Sequence, residues 1–513
     1  MKFNIKQFIT RMSLIARLLI TTICTALVLA VALITTPTTS LAAPPAQVRD
    51  GTHITIIHLN DTYEILPVSG GRLGGLARVA TLKKQLLAQN PNTIMTLSGD
   101  YHGPSGMGLA KVNGVPLAGQ QAVAVLNKVG IDYSTFGDHE FNIYPLNQHF
   151  QRLTETQFPI ISGNVYTAAG TAYIAAPYEF ALNKGALIAI FGVTKPFQPS
   201  QPGIMKVGNA NDTVIKQAGA WRGFAPLVIA LTHQSINDDI ALATAAGSTI
   251  DLILGGDEHE NMKVQIGNNP PIYKSDSNAR NVYIIDLYYS GGQWRITDRL
   301  QAITSDIPED PVVKAEVDKW QKIAFDAFRA DGMEPTEVLA IPRVDLDGFG
   351  TSVRNGPTEL TRQLLEGINR TTIDAGAAPD FALFTSGIIR LDDVIPAGGE
   401  FTQYDILRTF PIDVKVVLLE VKGDLLKQIL DVGRKAKGTG TFLLTSRHVG
   451  QDLTGAWLIN GQPIDVNRRY SVAASQIEAG NYASLGVKLV TTYPVSIRAV
   501  LAQQLKKIYP SQQ

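Results

Sequence analysis

The stretch His53-Ile54-Thr55-Ile56-Ile57-His58-Leu59-Asn60-Asp61 decides how this chain is read, because its pattern recurs. A short apolar run rich in β-branched residues ends on polar residues that can bind a metal. Thr93-Ile94-Met95-Thr96-Leu97 ends on Ser98-Gly99-Asp100, and residues 132–136 end on Gly137-Asp138-His139-Glu140. Residues 227–231 end on Thr232-His233, and residues 251–254 end on Gly255-Gly256-Asp257-Glu258-His259. Helical periodicity over 79–89 and 118–129 alternates with these runs. The rhythm predicts an α/β fold whose strand ends gather at one edge of the sheet.

A single Asp after a strand is ordinarily a turn residue or a helix cap. Five such endings in succession point instead to one site. Carboxylates crowded at a sheet edge repel one another unless a cation neutralises them. A mixed His and Asp donor set suits zinc, manganese, iron or cobalt better than calcium. Two such ions could clamp a phosphate ester and activate a water. Glycines beside the polar residues permit sharp turns and leave room for a ligand.

With 513 residues the chain is long enough for two domains. A hydrophobic fraction of 45% and a charged fraction of 18% are those of a globular protein. Its 45 basic and 45 acidic residues balance, so no nucleic-acid polymer is signalled as a partner. Lys2, Lys6, Arg11 and Arg17 precede a long apolar run, and Ser40-Leu41-Ala42 supplies small residues after it. That order predicts a signal peptide over 1–43 and export to a periplasmic or extracellular location. The rival reading is an uncleaved anchor, the one route by which a membrane becomes a partner. Cys24 is the only cysteine and lies in this segment, so any metal in the remaining chain is held without thiolates. A polar, Pro-containing stretch at 305–311 opens a helix over 312–329, expected to connect two α/β segments.

The motifs Leu59-Asn60-Asp61-Thr62-Tyr63-Glu64, Gly74-Gly75-Leu76-Ala77-Arg78, Ser98-Gly99-Asp100 and 274–280 resemble those of the 5′-nucleotidase family, in the branch where Tyr replaces a His in the first motif. Ser386-Gly387-Ile388-Ile389-Arg390 and Val353-Arg354 resemble its substrate-binding segments. The resemblance implies a four-layer αββα metallophosphoesterase sandwich at 44–305, a linker helix within 306–335, and a smaller α/β substrate-recognition domain at 336–513. It implies two divalent ions held by Asp61, Tyr63, Asp100, Asp138, His233, Asp257 and His259, with Asp100 between them. His139, oriented by the residue at 142, would act on the leaving group. Arg354, Arg390 and Tyr482 would hold a nucleotide or another small phosphate ester.

The chain departs from the family at defined points. Gly-Asn-His-Glu-Phe-Asp reads here as Gly137-Asp138-His139-Glu140-Phe141-Asn142, and a ligand His has become Asp257. Two added carboxylates harden the donor set toward manganese or magnesium. Asn142 is a weaker partner for an imidazolium than a carboxylate. Ile412 stands where a base-stacking aromatic is expected, and Glu359 where the family has an Asn-rich stretch beside the phosphate. These departures support an alternative, a weakened or inactive member that binds a ligand or serves as a scaffold. His58 reads as a core histidine.

Overall fold

The computed structural model describes residues 48–183 and 186–511, so the expected signal segment lies outside the described residues. Eleven strands of the N-terminal half matter for the site. They are β1 (His53–Leu59), β2 (Thr93–Ser98), β3 (Tyr133–Thr135), β4 (Tyr178–Asn183), β5 (Ala186–Thr194) and β6 (Leu227–His233). They continue with β7 (Leu252–Gly256), β8 (Met262–Val264), β9 (Ile272–Lys274), β10 (Asn281–Ser290) and β11 (Gln293–Ala302). One sheet has the order β11-β10-β1-β2-β3, and the other β8-β9-β7-β6-β5-β4. The pairs β1–β2 and β2–β3 are parallel, as are β5–β6, β6–β7 and β7–β9. Their carboxyl ends therefore face one edge, as the recurrent strand endings predict.

The two sheets pack face to face through Ile54, Ile56, Ile188, Ile190, Ile229, Leu231, Leu252 and Leu254. Alternate residues of the same strands point outward, so each sheet buries both faces. Helices α1 (Leu76–Gln89), α2 (Gln120–Val129) and α5 (Pro311–Ala330) cover the first sheet. Helices α3 (Ala210–Trp221) and α4 (Ile236–Ala246) cover the second. This is the four-layer αββα sandwich. Polar side chains tie the sheets at their carboxyl ends. His58 is wholly buried; its Nδ1 lies 3.0 Å from Thr96 Oγ1, and its Nε2 donates to the Gly255 carbonyl at 2.9 Å. It is the core histidine the sequence predicts.

Helix α5 is capped by Asp310, which accepts from Val312 and Val313, and carries Pro311 in its first turn. Although the sequence reads it as a connector, it buries Val313, Val317, Trp320, Ala324, Phe325 and Phe328 in the core beneath α1 and α2. Tyr404 and Leu407 join that cluster from the C-terminal half.

The C-terminal half is a mixed five-stranded sheet between helices. Its central strands, Phe381–Thr385, Lys415–Lys422 and Arg469–Ser475, alternate strictly. Ala382, Phe384, Val416 and Leu418 face the helices Glu359–Asp374 and Ile497–Ile508, whereas Phe381, Leu383, Val417 and Leu419 face the helix Gly423–Lys435. A residue period of two over both faces is what a sheet covered on two sides requires.

Candidate metal centre

Beyond the ends of β1, β2 and β7 the backbone turns through the left-handed region at an aspartate each time. Asp61 has φ 52°, Asp100 φ 56° and Asp257 φ 83°. Asp tolerates this conformation better than most residues, and such clustering of strained positions is characteristic of functional sites. Gly137 is required by close approach, because a Cβ there would collide with the Asp100 carboxylate.

Tyr63 stands at the centre of one group. Its hydroxyl donates toward Asp61 Oδ1 and Asp100 Oδ2, both 2.9 Å away, and lies 3.1 Å from His259 Nε2. Burial, then the Asp100 and Asp61 charges, raise the Tyr63 phenol well above its ordinary value, so it stays neutral. Asp61 is fixed further by Asn60 Nδ2 at 2.8 Å and the Asp257 backbone N–H at 3.0 Å.

His233, wholly buried, ends β6. Its Nδ1 donates to the Ser98 carbonyl at 2.8 Å, which leaves Nε2 facing the carboxylates. That nitrogen makes no well-aligned hydrogen bond, yet lies 3.4 Å from Asp100 Oδ2, 3.6 Å from Asp138 Oδ1 and 3.9 Å from Asp257 Oδ1. Burial opposes protonation here, but Asp100 and Asp61 outweigh it and raise His233 well above the ordinary imidazole range. Three groupings could each hold a cation: Asp61 with Asp100 and His233, Asp100 with Asp138 and His139, and Asp138 with His233 and Asp257. An imidazole nitrogen with no well-aligned hydrogen bond, set among buried carboxylates, is the donor set a divalent ion satisfies, so the residues fit the metal the sequence implies.

His139 Nδ1 and Asn142 Oδ1 are 2.8 Å apart, and Asn142 Nδ2 donates to Asp138 Oδ2 at 2.9 Å. Because the Asp138 carboxylate only accepts, the amide of Asn142 is oriented unambiguously. Its oxygen must then accept from His139 Nδ1, which leaves Nε2 pointing toward Asp100, 3.8 Å from Oδ2. The amide and the carboxylate have exchanged places relative to the family pattern, and in this chain the two side chains are joined by a hydrogen bond.

Several partners of these ligands lie outside the candidate set read from the sequence. Lys195 directly follows β5; its backbone N–H donates to the His233 carbonyl at 2.7 Å, and its ammonium binds Asp257 and lies 3.2 Å from Asp138 Oδ1. It stands at the end of a buried strand as the other ligands do, with a cation in place of an acid or an imidazole. Glu140 accepts four backbone N–H groups, from Gly137 at 2.7 Å, Tyr101 at 2.9 Å, Asp100 at 3.0 Å and His102 at 3.1 Å. It thereby fixes the loops on either side of Asp100. Lys274, fully buried, binds Asp239 Oδ2 at 2.9 Å together with Glu258, and so locks the loop that carries Asp257 and His259. Asp392, from the C-terminal half, lies 2.6 Å from His259 Nδ1; against burial, its charge raises the His259 imidazole above the ordinary range.

Arg354 and Arg390 are half-buried, and no ion pair to either is found among the described residues. Both act electrostatically on Asp392, Arg354 also on His259 and Arg390 on Tyr63, which places their charge beside the cluster. Tyr482 is also half-buried, but its ring packs against the apolar layer containing Phe381 and Val417. Glu359 accepts from Tyr509 Oη and Gln363 Nε2, each at 2.7 Å. Ile412 is exposed.

Fold and site together define a calcineurin-like metallophosphoesterase, a class of hydrolases, and the model of that class matches residues 54–261. With the 5′-nucleotidase C-terminal domain matched over residues 346–482, the chain belongs to the 5′-nucleotidase family. The 5′-nucleotidase of Bos taurus is 25% identical over 460 residues, covering 78% of this chain and 76% of that protein. The 5′-nucleotidase precursor of Thermus thermophilus has the same fold, with a TM-score of 0.73 and 19% identity over 89% of this chain and 97% of that one. The sulfate thiohydrolase SoxB of the same organism follows at 0.71 and 16%, covering 90% and 95%. These two likenesses concern the fold alone.

Proposed function

We propose that this chain is an exported, divalent-metal-dependent hydrolase of a nucleotide or a related small phosphate ester. The observation that carries the reading is the His233 Nε2 atom turned into a buried cage of Asp61, Asp100 and Asp138. Asp61, Tyr63, Asp100, His233 and His259 would hold divalent metal, with Asp138 and Asp257 at the far side. A bound divalent ion supplies Lewis acidity toward a phosphoryl oxygen and its attacking water. His139, with Nδ1 held by Asn142, presents Nε2 as the proton donor to the leaving oxygen. Arg354 and Arg390, with no ion pair among the described residues, offer guanidinium groups for the phosphate or its neighbour. Bos taurus 5′-nucleotidase supports the nucleotide class. Export rests on the basic, apolar, small-residue order of the first 43 residues. No helix among the described residues is long and apolar enough to cross a membrane.

The test is phosphate release from a panel of nucleotides and simple phosphate monoesters, with manganese, zinc, magnesium, cobalt or iron supplied to the chelator-stripped protein. Release should vanish on chelation, return with metal, and fall about 100-fold or more in His139→Ala. Absence of release from every ester with every ion would refute the enzyme and favour the ligand-binding alternative.

A further inference from the structure

Asp138, Asp257 and Lys195 meet at one point. Asp138 and Asp257 are the two positions where the family pattern has neutral ligands, and both have become carboxylates. Lys195 brings an ammonium to the same two oxygens, Asp138 Oδ1 at 3.2 Å and Asp257 Oδ1 in closer contact. Those oxygens, with His233 Nε2, make up one of the three groupings that could hold a cation. A neutral amide and an imidazole at 138 and 257 would deprive the ammonium of the two carboxylates it contacts, and the carboxylates without Lys195 would repel each other. The three residues are therefore complementary to one another.

The position of Lys195 is set by the fold. β5 pairs with β6 so that Thr194 lies opposite His233, and the next backbone N–H donates to the His233 carbonyl. The side chain leaves the sheet edge beside His233 and has 31% of its surface exposed, so it lies across the outer side of the carboxylates. A divalent ion among Asp138, His233 and Asp257 would share its oxygens with a fixed positive charge. The grouping of Asp61, Asp100 and His233 includes neither of the carboxylates that Lys195 binds.

We infer that the Lys195 ammonium takes the place of a second divalent cation, so that the centre holds a single ion on the side of Asp61, Asp100 and His233. The inference rests on the metal-dependent reading above and narrows it. The chain's own ammonium then supplies the second positive charge beside the phosphate.

The experiment is metal stoichiometry rather than turnover. Protein is stripped with chelator, saturated with manganese and gel-filtered, then measured by elemental mass spectrometry and low-temperature electron paramagnetic resonance. The parent should carry about one manganese per chain with the six-line signal of an isolated ion. Lys195→Ala should carry about two, with a signal altered by exchange between bridged ions. About two ions in the parent overturns the inference, and that measurement needs no variant to fold. Equal stoichiometry in the parent and a folded Lys195→Ala also overturns it, because Lys195 would not be what excludes the second ion. No bound ion in the parent sinks the metal-dependent reading, and this inference with it.

Discussion

Replacing Asn142 with Asp restores the family's residue at that position, yet it should destabilise this chain. The new carboxylate oxygen would stand where Asn142 Nδ2 now donates to Asp138 Oδ2, at 2.9 Å. Two unit charges at that separation repel by about 6 kcal/mol at an effective dielectric near 20. The pair can escape by keeping one proton, and holding a carboxyl of ordinary pKa near 3.9 protonated at pH 7 costs about 4 kcal/mol. The smaller figure is the ceiling. At pH 5 the same protonation costs only about 1.5 kcal/mol. The sign follows from the raised pKa of the folded pair: its proton is lost more readily in the unfolded chain, so the penalty grows as pH rises. Asn142→Asp should therefore lose about 4 kcal/mol at pH 7 and much less at pH 5, measured by urea unfolding in chelator. The double exchange Asp138→Asn with Asn142→Asp rebuilds one amide–carboxylate hydrogen bond and should lie within about 1.5 kcal/mol of the parent at both pH values. The reasoning is refuted by a single variant as stable as the parent at pH 7, or by a double variant no better than the single.

Acid sensitivity should trace to buried histidines. His149 packs against Phe136, Phe141 and Phe150 with neither nitrogen hydrogen-bonded, and burial lowers its pKa to about 3 from 6.5. Its unfolded form gains a proton below pH 6.5 while the folded form does not, so stability is lost on acidification. Relative to the parent, His149→Phe should gain about 1.4 kcal/mol per pH unit between pH 6.5 and 4 in parallel denaturant titrations; a pH-independent difference would count against it. Glu140→Gln should cost about 3 kcal/mol, because an amide has one oxygen for four backbone donors. Thermal unfolding and loss of bound manganese should report it together, and an unaltered melting temperature would contradict the assigned role.

Much of the N-terminal half was legible because its chemistry is written at strand ends. The runs ending at Asp61, Asp100, His233 and Asp257 each announce a strand by composition and a ligand by position, and parallel pairing then forces the ligands together. Less legible were residues whose meaning depends on a neighbour distant in sequence. Lys195 follows a strand like the others but carries the opposite charge, and only contact with Asp138 and Asp257 gives it a purpose. Asp392 has no motif and acquires its place when the C-terminal half meets His259. Helix α5 was legible as a helix from its Pro-containing start and apolar spacing. Its burial beneath α1 and α2 was not, because amphipathicity tells which face is covered but not by what.

The left-handed aspartates at 61, 100 and 257 also limit how this centre can change over generations. At φ between 52° and 83° a β-branched residue is sterically penalised, whereas Asp, Asn, His and Gly are admitted. Mutational drift or a randomised library at these positions would therefore explore a short alphabet of donors. Metal preference would evolve most freely at Tyr63, Asp138, His233 and His259, whose backbones carry no such restriction, while the three left-handed corners draw on that short set, as the exchange of His for Asp at 257 does.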